Sequence, residues 1–178
     1  PSQVYGDDPW TPEIESPMPF TLGVRVRNSG AGDARNLKIE SAQPRIVENE
    51  LGLLVGFELL GSEIHGQPAD SSLLAEFGTV KAGAAKIARW SMTASLVGRF
   101  TNFTASFTHA NELGGELTSL IESVNTHMLV RDVLVDLPGR DGIRDFLAAT
   151  DGFTVFESSG TNLSVTDVSV ASTLTYQG

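Results

Sequence analysis

Hydrophobic and polar residues alternate with a period of two from Phe20 to Arg27, Phe20, Leu22, Val24 and Val26 falling on one face and Thr21, Arg25 and Arg27 on the other. That is the period of a β-strand, whose successive side chains leave the pleat on opposite sides. The run SGAGD follows, and its two glycines supply the positive φ values that a tight reversal needs. Alternation resumes from Ala34 to Ser41, with Leu37 and Ile39 inward and Asn36, Lys38 and Glu40 outward. The pattern predicts a β-hairpin over about residues 20–43.

Two further strands, Arg45–Val47 and Leu53–Leu60, are expected in preference to a helix, because Gly52, Gly56 and Gly61 would each cost a helix about 1 kcal/mol relative to alanine. His65 to Ser72 reads as a polar loop. Leu73–Val80 and Lys86–Thr93 then form a strand, turn and strand. In the second of these Ile87 and Trp90 break the parity, so a bulge near Ala88–Arg89 or a strand covered on both faces is expected. From Arg99 to His109 the alternation is regular, with Phe103, Ala105, Phe107 and His109 on one side, and Thr118–Val130 reads as one more long strand. Seven or eight short strands with regularly spaced turns predict a two-sheet antiparallel sandwich with little helix. Leu22, Val24, Val26, Leu37, Ile39, Phe103, Phe107 and Leu120 are expected inside it.

The flanks differ in character. Pro9, Pro12, Pro17 and Pro19 forbid helix over residues 1–19, which read as an extended lead-in. Residues 20–130 form the sandwich, and residues 131–178 a β-rich extension, either packed on it or opening a next module. Within the extension Thr154–Glu157 and Leu163–Leu174 read as strands and Ile143–Ala149 as a short helical turn. The ends, PSQVYG and LTYQG, are expected to be cut from a longer chain.

The segments FTLGVRVRNSGAGDARNLKIES (20–41), FGTVKAGAAKIARWSM (77–92) and LVGRFTNFTASFTH (96–109) carry a recognisable set of turn and core positions. Asn28, Gly30, Gly32 and Ala34 stand at the first turn, Gly78, Val80 and Gly83 at the second, and Gly98 and Phe100 open the late strand. In these positions the chain resembles the immunoglobulin-like domains related to the bacterial cell-adhesion-related domain. The resemblance spans about 110 residues and implies an all-β immunoglobulin-like antiparallel β-sandwich, with a role as spacer or adhesion module between other domains. The insertion at 44–72 and the tail after 130 depart from the family's minimal form.

Composition narrows the function. A formal charge of −10 repels phosphate backbones and anionic lipid head groups, so nucleic acid is not expected, and no run approaches the roughly 18 consecutive apolar residues that a membrane span needs, so neither is membrane insertion. The absence of cysteine excludes a disulfide framework, a thiolate nucleophile and any cysteine-ligated metal, and points to a bacterial surface module rather than a disulfide-stapled animal one. No Gly-x-Ser-x-Gly elbow occurs, and no nucleophile–base pair is recognisable, so a non-catalytic protein at the cell surface or outside the cell is expected. Its expected partners are neighbouring domains of the parent chain, other surface proteins, or glycans.

Three sets of residues carry candidate chemistry. Asp7, Asp8, Asp132, Asp136, Asp141 and Asp145 offer hard oxygen donors suited to Ca²⁺, against the plainer reading of solvated surface carboxylates, and no other cofactor is expected. Trp10 in the proline-rich lead-in is a candidate to stack on a sugar ring, which supports the alternative of a carbohydrate-binding module, whereas Trp90 is expected in the core. His65, His109 and His127 stand far apart in sequence, and a zinc site would require His109 and His127 to converge.

Overall fold

The computed structural model describes residues 3–44, 55–99, 103–108, 121–168 and 170, and among these the chain is all-β, with no α-helix. In chain order the strands are β1 (Gln3–Val4), β2 (Phe20–Arg27), β3 (Ala34–Pro44), β4 (Phe57–Ile64), β5 (Gln67–Ala69), β6 (Ala75–Val80) and β7 (Ala85–Ala94). They are followed by β8 (Gly98–Arg99), β9 (Phe103–Thr108), β10 (Met128–Val133), β11 (Asp145–Ala149), β12 (Phe153–Phe156) and β13 (Asn162–Val165). The strands form a first sheet in the order β2-β7-β4-β5, a second in the order β6-β3-β9, a third that is the meander β10-β11-β12-β13, and the short pair β1-β8. All pairings of these strands are antiparallel.

Strands β2 and β3 lie where the alternation puts them, but they do not form the expected hairpin: β2 pairs with β7, and β3 with β6 and β9. The reason is burial. A hairpin would set both apolar faces on the same side of one sheet, whereas crossing between sheets lets Leu22 and Val24 cover Leu37 and Ile39 from opposite walls of the core. Asn28 holds the crossing, its Nδ2 donating to the carbonyls of Gly32 (2.8 Å) and Val80 (2.9 Å) and its Oδ1 accepting from Gly30 N (3.0 Å).

Ile39, Ala75, Phe77, Val80, Ala88, Trp90 and Met92 make the centre of this core, with Phe20, Leu22, Val24 and Val26 packed around them. Trp90 is 1% exposed and donates its indole N–H to Ser72 O at 3.0 Å, which satisfies its one polar atom. Each fully buried aliphatic or phenyl side chain here contributes about 1.5–3 kcal/mol.

The parity break in β7 has its explanation in double coverage. Ala88, Trp90 and Met92 belong to the core just described, while Ile87 and Arg89 point to the other face and are also buried. The β2–β7 register runs unbroken from Phe20↔Met92 to Arg27↔Ala85, so no bulge lies at Ala88–Arg89; the irregularity falls on β4, between Leu59 and Gly61. The third sheet provides the second cover.

Several boundaries move. Residues 121–127, expected within a strand, are exposed and outside any strand, and pairing starts only at Met128, where β11 offers a partner. The boundary drawn at 131 therefore falls inside β10. The helical turn expected over Ile143–Ala149 is replaced by β11, because both β10 and β12 pair with it. The strand expected from Leu163 begins at Asn162 and ends at Val165. Arg45–Val47, His109, Leu120 and residues 171–174 lie outside the described residues, as do the side chains of Phe103 and Phe107. The lead-in is anchored: β1 pairs with β8, Asp7 N donates to Ser95 O, and Val97 N donates to Asp7 O.

Candidate functional site

Among the described residues, buried charge is concentrated between the outer face of β2, β7 and β4 and the third sheet. Strand parity aims Gly23, Arg25, Arg89 and Glu63 at this seam, since Gly23 and Glu63 both stand opposite Arg89 and Arg25 stands opposite Ile87. Gly23 forms a notch: a Cβ there would lie 2.5 Å from Cζ of Phe146, whose ring rests on the bare backbone.

Arg89 is buried and makes contacts in three directions. Its Nη1 pairs with Glu63 Oε1 at 3.2 Å, its Nη2 donates to Arg144 O at 2.6 Å, and its guanidinium lies 5.4 Å from the centroid of the Phe146 ring. Arg25 makes a parallel set of contacts. Its Nη1 donates to the carbonyls of Glu157 (3.2 Å) and Thr161 (3.0 Å), its Nη2 to Asn162 Oδ1 (2.6 Å), and its Cζ sits 4.9 Å from the centre of Phe156. Burial, and then the neighbouring Arg27, lower the Arg25 pKa, while Asp145 and Glu157 act in the opposite sense.

A carboxylate cluster closes one end. Glu157, 2% exposed, pairs through Oε2 with Arg140 Nε at 2.9 Å. Ser158 N donates to Asp145 Oδ1 at 2.7 Å, and Ser158 Oγ lies 2.9 Å from both Asp141 carboxylate oxygens. Val135 N reaches the second Asp145 oxygen at 3.3 Å. The Ser158 hydroxyl is thus placed as a donor to the Asp141 carboxylate, which ties the turn after β12 to the segment before β11.

Asp132 enters the seam from β10. Burial raises its pKa, while Arg89 and Arg144 pull it down and Glu63 adds to the rise. At the β4–β5 turn His65 adopts φ 50°, and burial followed by Lys86 lowers its pKa against a smaller opposing effect of Asp141. His65 Nδ1, Arg89 Nε, Asp132 Oδ1 and Glu157 Oε1 are buried without a hydrogen-bond partner.

The residues singled out in the sequence fall in separate places. Asp141 and Asp145 meet on Ser158, Asp132 lies partly buried in the seam, and Asp136 is exposed. Asp7 and Asp8 instead brace the lead-in loop: Asp7 Oδ1 accepts from Glu15 N (2.9 Å), and Asp8 Oδ1 accepts from Trp10 N (3.0 Å). Among the described residues no group of three or more Asp, Glu or His side chains is arranged to hold a metal ion. Trp10 is 73% exposed at the tip of that loop. His127 stacks on Phe156 with ring centroids 4.8 Å apart.

Sequence reasoning did not single out Gly23, Arg25, Arg89, Glu63 or Glu157. A glycine in the middle of a regular strand was the available signal, since it marks a place where another group approaches the backbone. No family model, curated protein or solved structure matches this chain.

Proposed function

We propose that the chain is a non-catalytic, immunoglobulin-like module of a secreted or cell-surface bacterial protein, acting as a stiff spacer or protein-binding unit. The immunoglobulin-like reading is supported by the pairing of β2 with β7 and of β3 with β9 in separate sheets, the relation of strands B with E and C with F in that fold. The β4–β5 hairpin is an insertion that widens the first sheet on the free side of β7.

One observation carries the functional reading. The third sheet is fastened across the outer face of β2 and β7 by Arg25, Arg89 and the Phe146–Gly23 contact, giving three stacked sheets about a strand buried on both sides. Such a stack resists bending, because packed interiors deform little without losing dispersion contacts. Arg25 and Arg89 hold backbone carbonyls of the third sheet and its loops, and the Arg89–Glu63 and Arg140–Glu157 pairs add to the seam.

Single-molecule extension between the two ends tests the reading. Cooperative unfolding of the third sheet with the sandwich is the expected result; detachment of the third sheet as a separate event at much lower force would overturn it.

A further inference from the structure

The lead-in loop is a second feature of the surface, with its own internal bracing. Met18 N donates to Tyr5 O at 2.9 Å, closing the loop, while Glu15 N donates to Asp7 Oδ1 (2.9 Å) and Asp8 N to Glu15 Oε2 (3.1 Å). These crossed bonds hold in shape a segment whose large apolar side chains face water: Trp10 is 73%, Ile14 93%, Met18 59% and Tyr5 51% exposed. Presenting this much apolar surface on a braced loop lowers the ordering cost of binding something to it.

Charge indicates what that something is. Asp7, Asp8, Glu13 and Glu15 lie in the loop, and no lysine or arginine precedes Arg25. Beside the loop runs an open groove of about 300 Å³ lined by Pro17, Phe57, Ala94 and Glu58, so the adjoining rim is acidic as well. Arg99, opposite Gln3 in the β1–β8 pair, is the cation on the neighbouring strand. Exposed aromatic faces set among carboxylates suit a guanidinium or ammonium on an apolar stem, which stacks on the ring and pairs with the acids.

We propose that the loop Tyr5–Met18 and its groove form a docking surface for a basic segment of a partner protein, one in which arginine or lysine alternates with apolar side chains. This rests on the protein-binding form of the module reading.

The test is calorimetric titration of the whole chain with three synthetic peptides: alternating arginine and leucine, alternating glutamate and leucine, and oligolysine without apolar residues. Saturable binding of the arginine–leucine peptide alone is expected, weakening with added salt and falling at least about tenfold in Trp10→Ala and in the Glu13→Gln/Glu58→Gln double variant. Asp136→Asn/Asp151→Asn, acids in the β10–β11 and β11–β12 connections, should leave it unchanged. An equal fall there would reveal binding to the overall negative field and overturn the proposal. So would the absence of binding, indifference to Trp10→Ala, equal binding of the acidic peptide, or Trp10-dependent binding of a glycan on an array. Thermal melts of each variant, expected to match the parent, separate these outcomes from misfolding. Cooperative extension with no peptide binding would sink this proposal and leave the spacer reading standing, whereas early detachment of the third sheet would sink the spacer reading whatever the peptides do.

Discussion

Gly23→Ala is the smallest change that tests whether the third sheet is seated as described. The added Cβ would lie 2.5 Å from Phe146 Cζ and 2.6 Å from Cε1, about 1 Å inside ordinary carbon–carbon contact. Phe146 is buried, with Arg89 beside its ring, so relief requires displacing the ring or the strand that carries it. Overpacking of this kind costs about 1–3 kcal/mol, and the reduced freedom of the unfolded chain returns about 0.4–1 kcal/mol. A net loss of about 1–2 kcal/mol is expected, which for a chain of this length lowers Tm by about 2–8 °C. Urea denaturation in a Trp10→Phe background, leaving Trp90 as the reporter, measures it. Phe146→Leu shortens the group that the new methyl strikes, so a double-mutant cycle should recover about 1 kcal/mol of coupling. A Gly23→Ala protein as stable as the parent, together with zero coupling, would refute the seating of Phe146 on β2.

Three further outcomes follow from the same seam. Arg89→Met should cost about 2 kcal/mol, less than breaking a fully buried pair because the Glu63 side chain keeps 33% of its surface in water; a loss too small to detect by denaturant titration would contradict the contacts drawn for Arg89. Asp132 has its folded-state pKa raised, so the folded form takes up its proton before the unfolded form does and this group favours folding as pH falls through the folded value. Asp132→Asn should therefore stabilise the protein at pH 7 and lose that advantage below the ordinary carboxylate pKa, as read from melting curves across pH; a pH-independent effect would contradict the assignment. Asp141 and Asp145 already serve Ser158 and backbone N–H groups, so melting curves in millimolar Ca²⁺ and in chelator should coincide; a rise with Ca²⁺ would show that these carboxylates can be redirected to a cation.

Local pattern was enough to identify the all-β character, the runs that become β2, β6 and β7, and the burial of Trp90, since a period of two and glycine-rich reversals follow from the geometry of a few consecutive residues. Which strands pair was not legible there. Residues 20–43 read as a hairpin and prove to be two strands crossing between sheets, because alternation states which side chains share a face but not what covers that face. The break at Ile87 and Trp90 showed that something was unusual in β7, yet the choice between a bulge and double coverage depended on the third sheet, which begins only at Met128. The seam was hidden for the same reason. Arg25 reads as an outward-facing strand residue until Glu157, Thr161 and Asn162 close over it, and Gly23 reads as a weak strand position until Phe146 fills its notch. Period and turn chemistry are short-range properties and belong to the sequence. Burial of a charge or approach to a bare backbone is a property of two distant segments meeting, and only the tertiary structure brings them together.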